Sequence, residues 1–215
     1  YEPAASHLAS AVEDTDPRVR FHAGIAVGSL GVPAAVDRLV RWIQRVGEDD
    51  PYQRHGAVMG LLGSASLKQI LSLGGHSSSH VRRAAVLVLR RLKDPSLARF
   101  VADRNALVAR EAAVAIYDEG IASALPALAN ELARHDPKDD PFIRRALAAC
   151  LRLGGEERAR EVARYALNEQ APTSLRKEAL EILGDWAEPS SRDRVHNHWR
   201  PIEPHLGDDL TTLAQ

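Results

Sequence analysis

Apolar residues along this chain return at helical spacing in short blocks that all begin the same way. Six blocks share a plan: a Pro or small polar residue, an aliphatic residue, an Arg, then an Ala-rich run with apolar positions every three or four residues. They start DPRVRFHAGIAVGSLG at Asp16, DPYQRHGAVMGLLG at Asp50, SSHVRRAAVLVLRRL at Ser78, NALVAREAAVAIYDEG at Asn105, DPFIRRALAACLRLGG at Asp140 and PTSLRKEALEILGDW at Pro172. The shared Arg falls at Arg20, Arg54, Arg82, Arg110, Arg144 and Arg176. Successive gaps are 34, 28, 28, 34 and 32 residues, the length of a short two-helix unit.

Each block carries helix-start chemistry. An Asp cap accepts hydrogen bonds from orphan amides, and Pro at the first helical position has no amide to lose. Gly31, Gly63, Gly120 and Gly154 fall where each helix should stop. Second amphipathic stretches lie between the first helices. In Ala34 to Val46, the residues Val36, Leu39, Val40, Ile43 and Val46 make one apolar stripe. Leu67 to Leu73, Ser96 to Ala102, Ser123 to Ala133 and Glu157 to Leu167 are similar, and Ala4 to Val12 supplies half a repeat.

Neither helix of such a pair covers its apolar face alone, so stacked pairs bury a continuous core. Ala23, Ala57, Ala85 and Ala113, three residues after the Arg, let helices approach closely. The expected fold is all-α: a right-handed superhelix of about five to six helical hairpins, one structural domain over residues 1–188. Residues 189–215 break the pattern at Pro189, Pro201 and Pro204 and read as a cap or linker, with Ser190 to Trp199 as a last short helix.

Composition agrees. Ala occurs 34 times in 215 residues and aromatics are 5%, which favours helices over sheets. The net charge is −1, so no global basic field points to nucleic acid. No apolar run approaches a membrane span. The single Cys, Cys150, excludes an internal disulfide, a four-Cys zinc site and a CxxCH haem attachment, and it leaves the compartment open. No initiator Met, signal peptide or targeting tail is visible, so the chain reads as a mature or excised piece.

Candidate chemistry is sparse. The recurring Arg reads either as an anion-binding ladder or, favoured by its fixed place in each repeat, as internal links between neighbouring helix caps. Arg38, Arg41 and Arg45 share a face of the second helix opposite the apolar stripe. In a repeat stack they would line the concave side with Arg134, Arg160 and Arg164, beside Trp42, the tryptophan expected to be exposed; Trp186 reads as core. A solvated helix face is the plainer reading of these arginines. His76 and His80 fall in a turn, and His196, His198 and His205 could offer imidazoles, yet no full zinc ligand set accompanies them. There is no GxSxG, GxxxxGK[ST], GxGxxG or HExxH, and Cys150 sits in an apolar helix where a thiol is inert. Charge is uneven: residues 81–110 carry eight Lys/Arg against two acids, and residues 111–142 the reverse tendency.

The pattern DPxVRxxAxxAxxxLG, best matched by Asp16 to Gly31 and spanning about residues 13–188, resembles HEAT repeats, in particular the short bacterial form found in bilin-lyase-like proteins. The stretches from DPYQRHGAVMGLLG to LRKEALEILGDWAEPSSRDRVHNHWRP are similar to the HEAT region of large planctomycete multidomain proteins. Those join a sugar-dehydrogenase-like propeller, a HEAT region and a cytochrome c-like haem domain. The resemblance implies an α-solenoid, an envelope or exported location, and any oxidoreductase activity residing in other domains. HEAT-like deoxyhypusine hydroxylases hold iron through His-Glu dipeptides, and this chain has none.

The function expected is therefore a non-catalytic scaffold or protein-interaction module without cofactor or metal. Its partners would be a protein or neighbouring domains, and nucleic acid is disfavoured. Two alternatives stand: polyanion binding in an Arg-lined groove, as HEAT-like DNA glycosylases hold a duplex, and a tetrapyrrole lyase-like or carrier role by analogy of fold.

Overall fold

The structure, a computed structural model, describes residues 2–47 and 49–205. Among these, eleven α-helices follow in order: α1 (Glu2–Ala11), α2 (Pro17–Leu30), α3 (Val36–Val46), α4 (Pro51–Ser64), α5 (Leu67–Ser72), α6 (Ser79–Leu92), α7 (Ala106–Asp118), α8 (Leu125–Asn130), α9 (Asp140–Leu153), α10 (Glu156–Leu167) and α11 (Thr173–Gly184). Single 3-10 turns at Pro33–Ala35, Leu73–Gly75, Pro95–Phe100 and Ala122–Ala124 lead into, end or replace the second helices. No strand occurs among the described residues. The chain is all-α, built of paired helices. It divides into two compact units, Tyr1–Ser96 and Leu97–Gln215.

Local chemistry explains where helices start. Asp16 accepts from the Arg18 amide, Asp50 from Tyr52 and Gln53, and Asn105 from Leu107 and Val108. Pro17 and Pro51 occupy the first turn, where a missing N–H costs nothing. Ser66 and Gln69 form a reciprocal capping box on α5. Gly31 ends α2 in the left-handed region at φ 63°, and Gly154 ends α9 at φ 66°. The second helices are shorter than their apolar stripes suggest. The segment 123–133 keeps only α8 as α-helix, and residues 96–102 keep only a 3-10 turn.

In the first unit α2 and α4 lie against each other along their length, with α3 packed on α4 and α6 on both α3 and α4. Glycines set this approach. A Cβ at Gly24 would stand 2.6 Å from the Gly56 carbonyl oxygen, one at Gly28 would strike the Met59 carbonyl, and one at Gly63 the Gly28 carbonyl. Gly63, expected to stop its helix, instead lies inside α4, which runs on to Ser64. Its task is backbone-to-backbone packing. The core holds Val27, Leu39, Trp42, Ile43, Leu61, Val86 and Leu89, all essentially sealed from solvent.

In the second unit α9 packs against α7, α8, α10 and α11, and α10 lies along α11. Its interior combines Ala112, Ile116, Phe142, Leu147, Cys150, Val162 and Ile182. Residues 185–205 fold back onto the same unit. Trp186 is fully buried, and the amide of His205 donates to the Ala187 carbonyl at 3.0 Å. The short helix expected over 190–199 is absent. Arg192 and Trp199 pair as an isolated antiparallel bridge, Asn197 turns through φ 57°, and the Asp193 carboxylate accepts the amides of Val195 and His196. These side-chain bonds compete with helical ones, and they win because Asp193 is also held from below.

Candidate functional site

The recurring arginines spend their donors on the chain itself. Arg20 donates from Nη1 to the carbonyls of Asp14 and Thr15, at 2.8 and 3.0 Å, and from Nε to Gln53 Oε1 at 3.1 Å. Gln53 is buried and donates in turn to the Pro17 carbonyl, clamping the start of α4 to the start of α2. Arg82 repeats the local half of the pattern, donating to the carbonyls of His76 and Ser77, at the same separations of six and five residues. Arg110 repeats the other half: its Nε meets Asp139 Oδ1, the cap of α9, at 2.8 Å. Arg144 grips Asp140 and reaches Glu178 on α11, and Arg176 donates to the Ala166 carbonyl. Arg54 is engaged as well. The link thus joins an Arg to carbonyls of the preceding loop, to a polar side chain of the next hairpin, or to both. Asp139 stays ionised against its burial because Arg110 and His135 hold its carboxyl below the usual range. Gln53 and Glu178 escaped sequence reading because they sit at no shared register.

The second-helix row behaves differently. Arg38 and Arg41 both grasp Glu13, at 2.7 and 3.1 Å. Burial alone would push the Glu13 carboxyl up, but the two guanidiniums keep it below the ordinary carboxylate range. Trp42, expected at the surface, is 1% exposed, because Gly24 lacks a Cβ that would stand 2.8 Å from its six-membered ring. Its indole Nε1–H finds no acceptor among the described residues. Arg45 is exposed and makes no ion pair among the described residues. Glu13, Asp14, Thr15, Arg20, Trp42, Arg45 and Val46 surround a cavity of about 350 Å³. In the second unit Arg134 stands in a turn after α8, paired with Glu131. Arg160 pairs with Glu156, and Arg164 lies exposed one turn further along α10.

The most elaborate polar cluster lies under the terminal segment. Asp193 is wholly buried and accepts from the Tyr117 hydroxyl at 2.7 Å and from Arg152 Nη2 at 3.1 Å. Arg152 also donates to the Arg200 carbonyl, and Arg200 to the Tyr117 carbonyl, with both guanidiniums over the Tyr117 ring. Burial would raise the Asp193 carboxyl, but the Tyr117 hydroxyl, two backbone amides and Arg152 together lower it to about 2. Asp118 takes Arg145 bidentately, at 2.8 and 2.9 Å, and His196 Nε2 at 2.8 Å. Every group here has its partner, so the cluster reads as a fastening.

The histidines do not converge. His196 and His198 stack at 5.5 Å, whereas His205 lies against Trp186 and the Leu151 carbonyl. Among the described residues no three His, Cys, Asp or Glu are placed to share a metal ion. His76 accepts the Ser78 amide in the turn, while His80 already belongs to α6. Cys150 is buried, and desolvation pushes its thiol up to about 12.

One surface of the first unit is aromatic. Phe21 meets His22 edge-on at 5.3 Å and stacks with His55 at 6.4 Å, and Tyr52 projects beside them at 77% exposure. With Pro17, Arg18, Asp50 and Gln53, three of them (Phe21, His22, Tyr52) line a hollow of about 290 Å³. Sequence reading passed over this surface because Phe21 and Tyr52 are isolated in their blocks and become neighbours only when α2 and α4 pair.

No helix among the described residues is long and apolar enough to cross a membrane. No protein-family model matches the chain, and neither does any curated protein.

Proposed function

We propose that the chain is a non-catalytic helical-repeat module of the HEAT-like kind, which scaffolds neighbouring domains or holds a protein partner. The observation that carries this reading is the use of the repeated Arg: guanidiniums at equivalent positions link consecutive helices and loops, as a stacked-repeat architecture requires. Such folds recognise partners through extended surfaces, and the Phe21–Tyr52–His55 face offers aromatic area with polar tips of the kind enriched at interfaces. The polyanion alternative loses Arg38 and Arg41 to Glu13.

A photo-reactive amino acid at Tyr52 in the full-length protein, activated in its own cells, tests the reading. A discrete adduct at Tyr52, absent when the same group replaces Lys177 on α11, is the expected result. Equal, diffuse labelling at both positions removes the interaction surface. A turnover by the purified chain that a single side-chain change abolishes overturns the non-catalytic assignment.

A further inference from the structure

The aromatic hollow of the first unit carries a narrower reading, which rests on the interaction surface proposed above and names the chemistry of its occupant. Phe21 is half-buried and sits where a Cβ on Gly56 would stand 3.0 Å from its ring. His22 meets it edge-on at 5.3 Å, and both His22 and the 77% exposed Tyr52 are open to solvent. The polar groups that share the lining are spent inward. Gln53 donates to the Pro17 carbonyl and accepts from Arg20, and the Asp50 carboxylate accepts the amides of Tyr52 and Gln53. A visitor therefore meets ring faces first, with the Tyr52 hydroxyl and the Arg18 guanidinium as donors beside them. The rings continue past the hollow to His55, stacked on Phe21 at 6.4 Å, so the surface suits several residues of a chain rather than a single side chain. An α-helix, about 10–12 Å across, is too broad for a hollow of about 290 Å³ and keeps its carbonyls to itself. A polyproline II strand is slimmer, presents one ring per turn to the same side, and leaves every backbone carbonyl without an internal partner. The lining residues include one guanidinium and one carboxylate, which favours neither a strongly basic nor a strongly acidic segment.

We propose that this face binds a proline-rich segment of a protein partner in the polyproline II conformation. Its proline rings lie against Phe21, His22 and Tyr52, and its carbonyls accept from the Tyr52 hydroxyl and Arg18. The match is of the kind by which aromatic-lined grooves take stiff, low-entropy proline strands.

The test is titration of the isotope-labelled full chain with decaproline while observing the ring resonances of Phe21, His22 and Tyr52. A flexible Gly-Ser decapeptide, decalysine and decaglutamate serve as comparisons. Saturable shifts of the three rings with decaproline, and none with the Gly-Ser peptide, are expected. Tyr52→Ala, at an exposed position that leaves the core intact, should weaken binding about tenfold, as loss of an aromatic anchor implies. Lys177→Ala on α11 should leave it unchanged. Rings that stay still with decaproline, or move equally with the Gly-Ser peptide, overturn the proposal, as does unchanged affinity in Tyr52→Ala. A response to decalysine or decaglutamate in place of decaproline marks a charged partner and overturns it too. Silence toward decaproline together with a discrete Tyr52 adduct in cells removes the proline-rich occupant and leaves the interaction surface standing.

Discussion

The Tyr117 hydroxyl donates to Asp193 at 2.7 Å, joining residues 76 positions apart in sequence. Through that bond and the Arg152 pair, the irregular segment after α11 is anchored to the helices of the second unit by a carboxylate with no exposed surface. The segment, without helical regularity, thus lies against α7 and α9.

Asp193→Ala leaves Arg152 buried beside no counter-charge. Removing one member of a buried pair costs about 3–5 kcal/mol. The expected outcome is a lowered melting temperature with tryptic cleavage at Arg192 and Arg194 appearing before global unfolding. Unchanged cleavage would show that Asp193 does not fasten the segment.

The same carboxylate predicts acid sensitivity. Asp193 is depressed in the folded chain to about 2, and an unfolded Asp titrates near ~3.9. Its contribution is complete above the unfolded value and is lost as pH falls through the folded one. Asp118 and Asp139, also held below the usual range, act in the same direction. Stability measured in denaturant should fall between about pH 4 and pH 2, and Asp193→Asn should flatten that fall. An identical slope in the variant contradicts the assignment.

Two glycine substitutions should move stability in opposite directions. Gly63→Ala drives a Cβ into the Gly28 carbonyl and should destabilise by about 1–3 kcal/mol. Gly184→Ala, on the last turn of α11 with open space around it, should stabilise by about 0.5–1 kcal/mol. Chemical denaturation of both variants against the parent reads the difference in sign.

Cys150 should resist aromatic disulfide reagents in the native state, because its thiol is sealed inside α9 and pushed up to about 12. Labelling is expected at the rate of unfolding and to accelerate with denaturant. Rapid labelling of folded protein would place the thiol at the surface.

The fold was largely legible because its signals are local. Asp16, Asp50 and Asn105 cap helices through hydrogen bonds two or three residues away, and the period of the apolar stripe depends on neighbours in sequence. What failed depended on neighbours in space. Trp42 looked exposed at the edge of its stripe, yet Gly24 of α2 leaves the space that admits its ring. Gly63 carried the residue type of a helix stop, and only the approach of α2 gives it another role. The 190–199 segment has helix-compatible residues, but the buried anchoring of Asp193 redirects its backbone. Of the candidate site, Arg45 and Arg20 were visible, while Glu13, Gln53 and the aromatic face required helix pairing to come together.

The claim beneath all of this is that the repeated Arg is a structural link between helices rather than a ligand contact. Thermal unfolding of Arg82→Ala and Arg110→Ala, compared with Arg160→Ala and Arg164→Ala, tests it most directly. The first pair should lose about 1–3 kcal/mol, since carbonyls of the loop before α6 and the cap of α9 lose a charged donor. The second pair, exposed on α10, should stay within about 0.5 kcal/mol of the parent. Arg82 and Arg110 variants that unfold together with the parent would contradict the account.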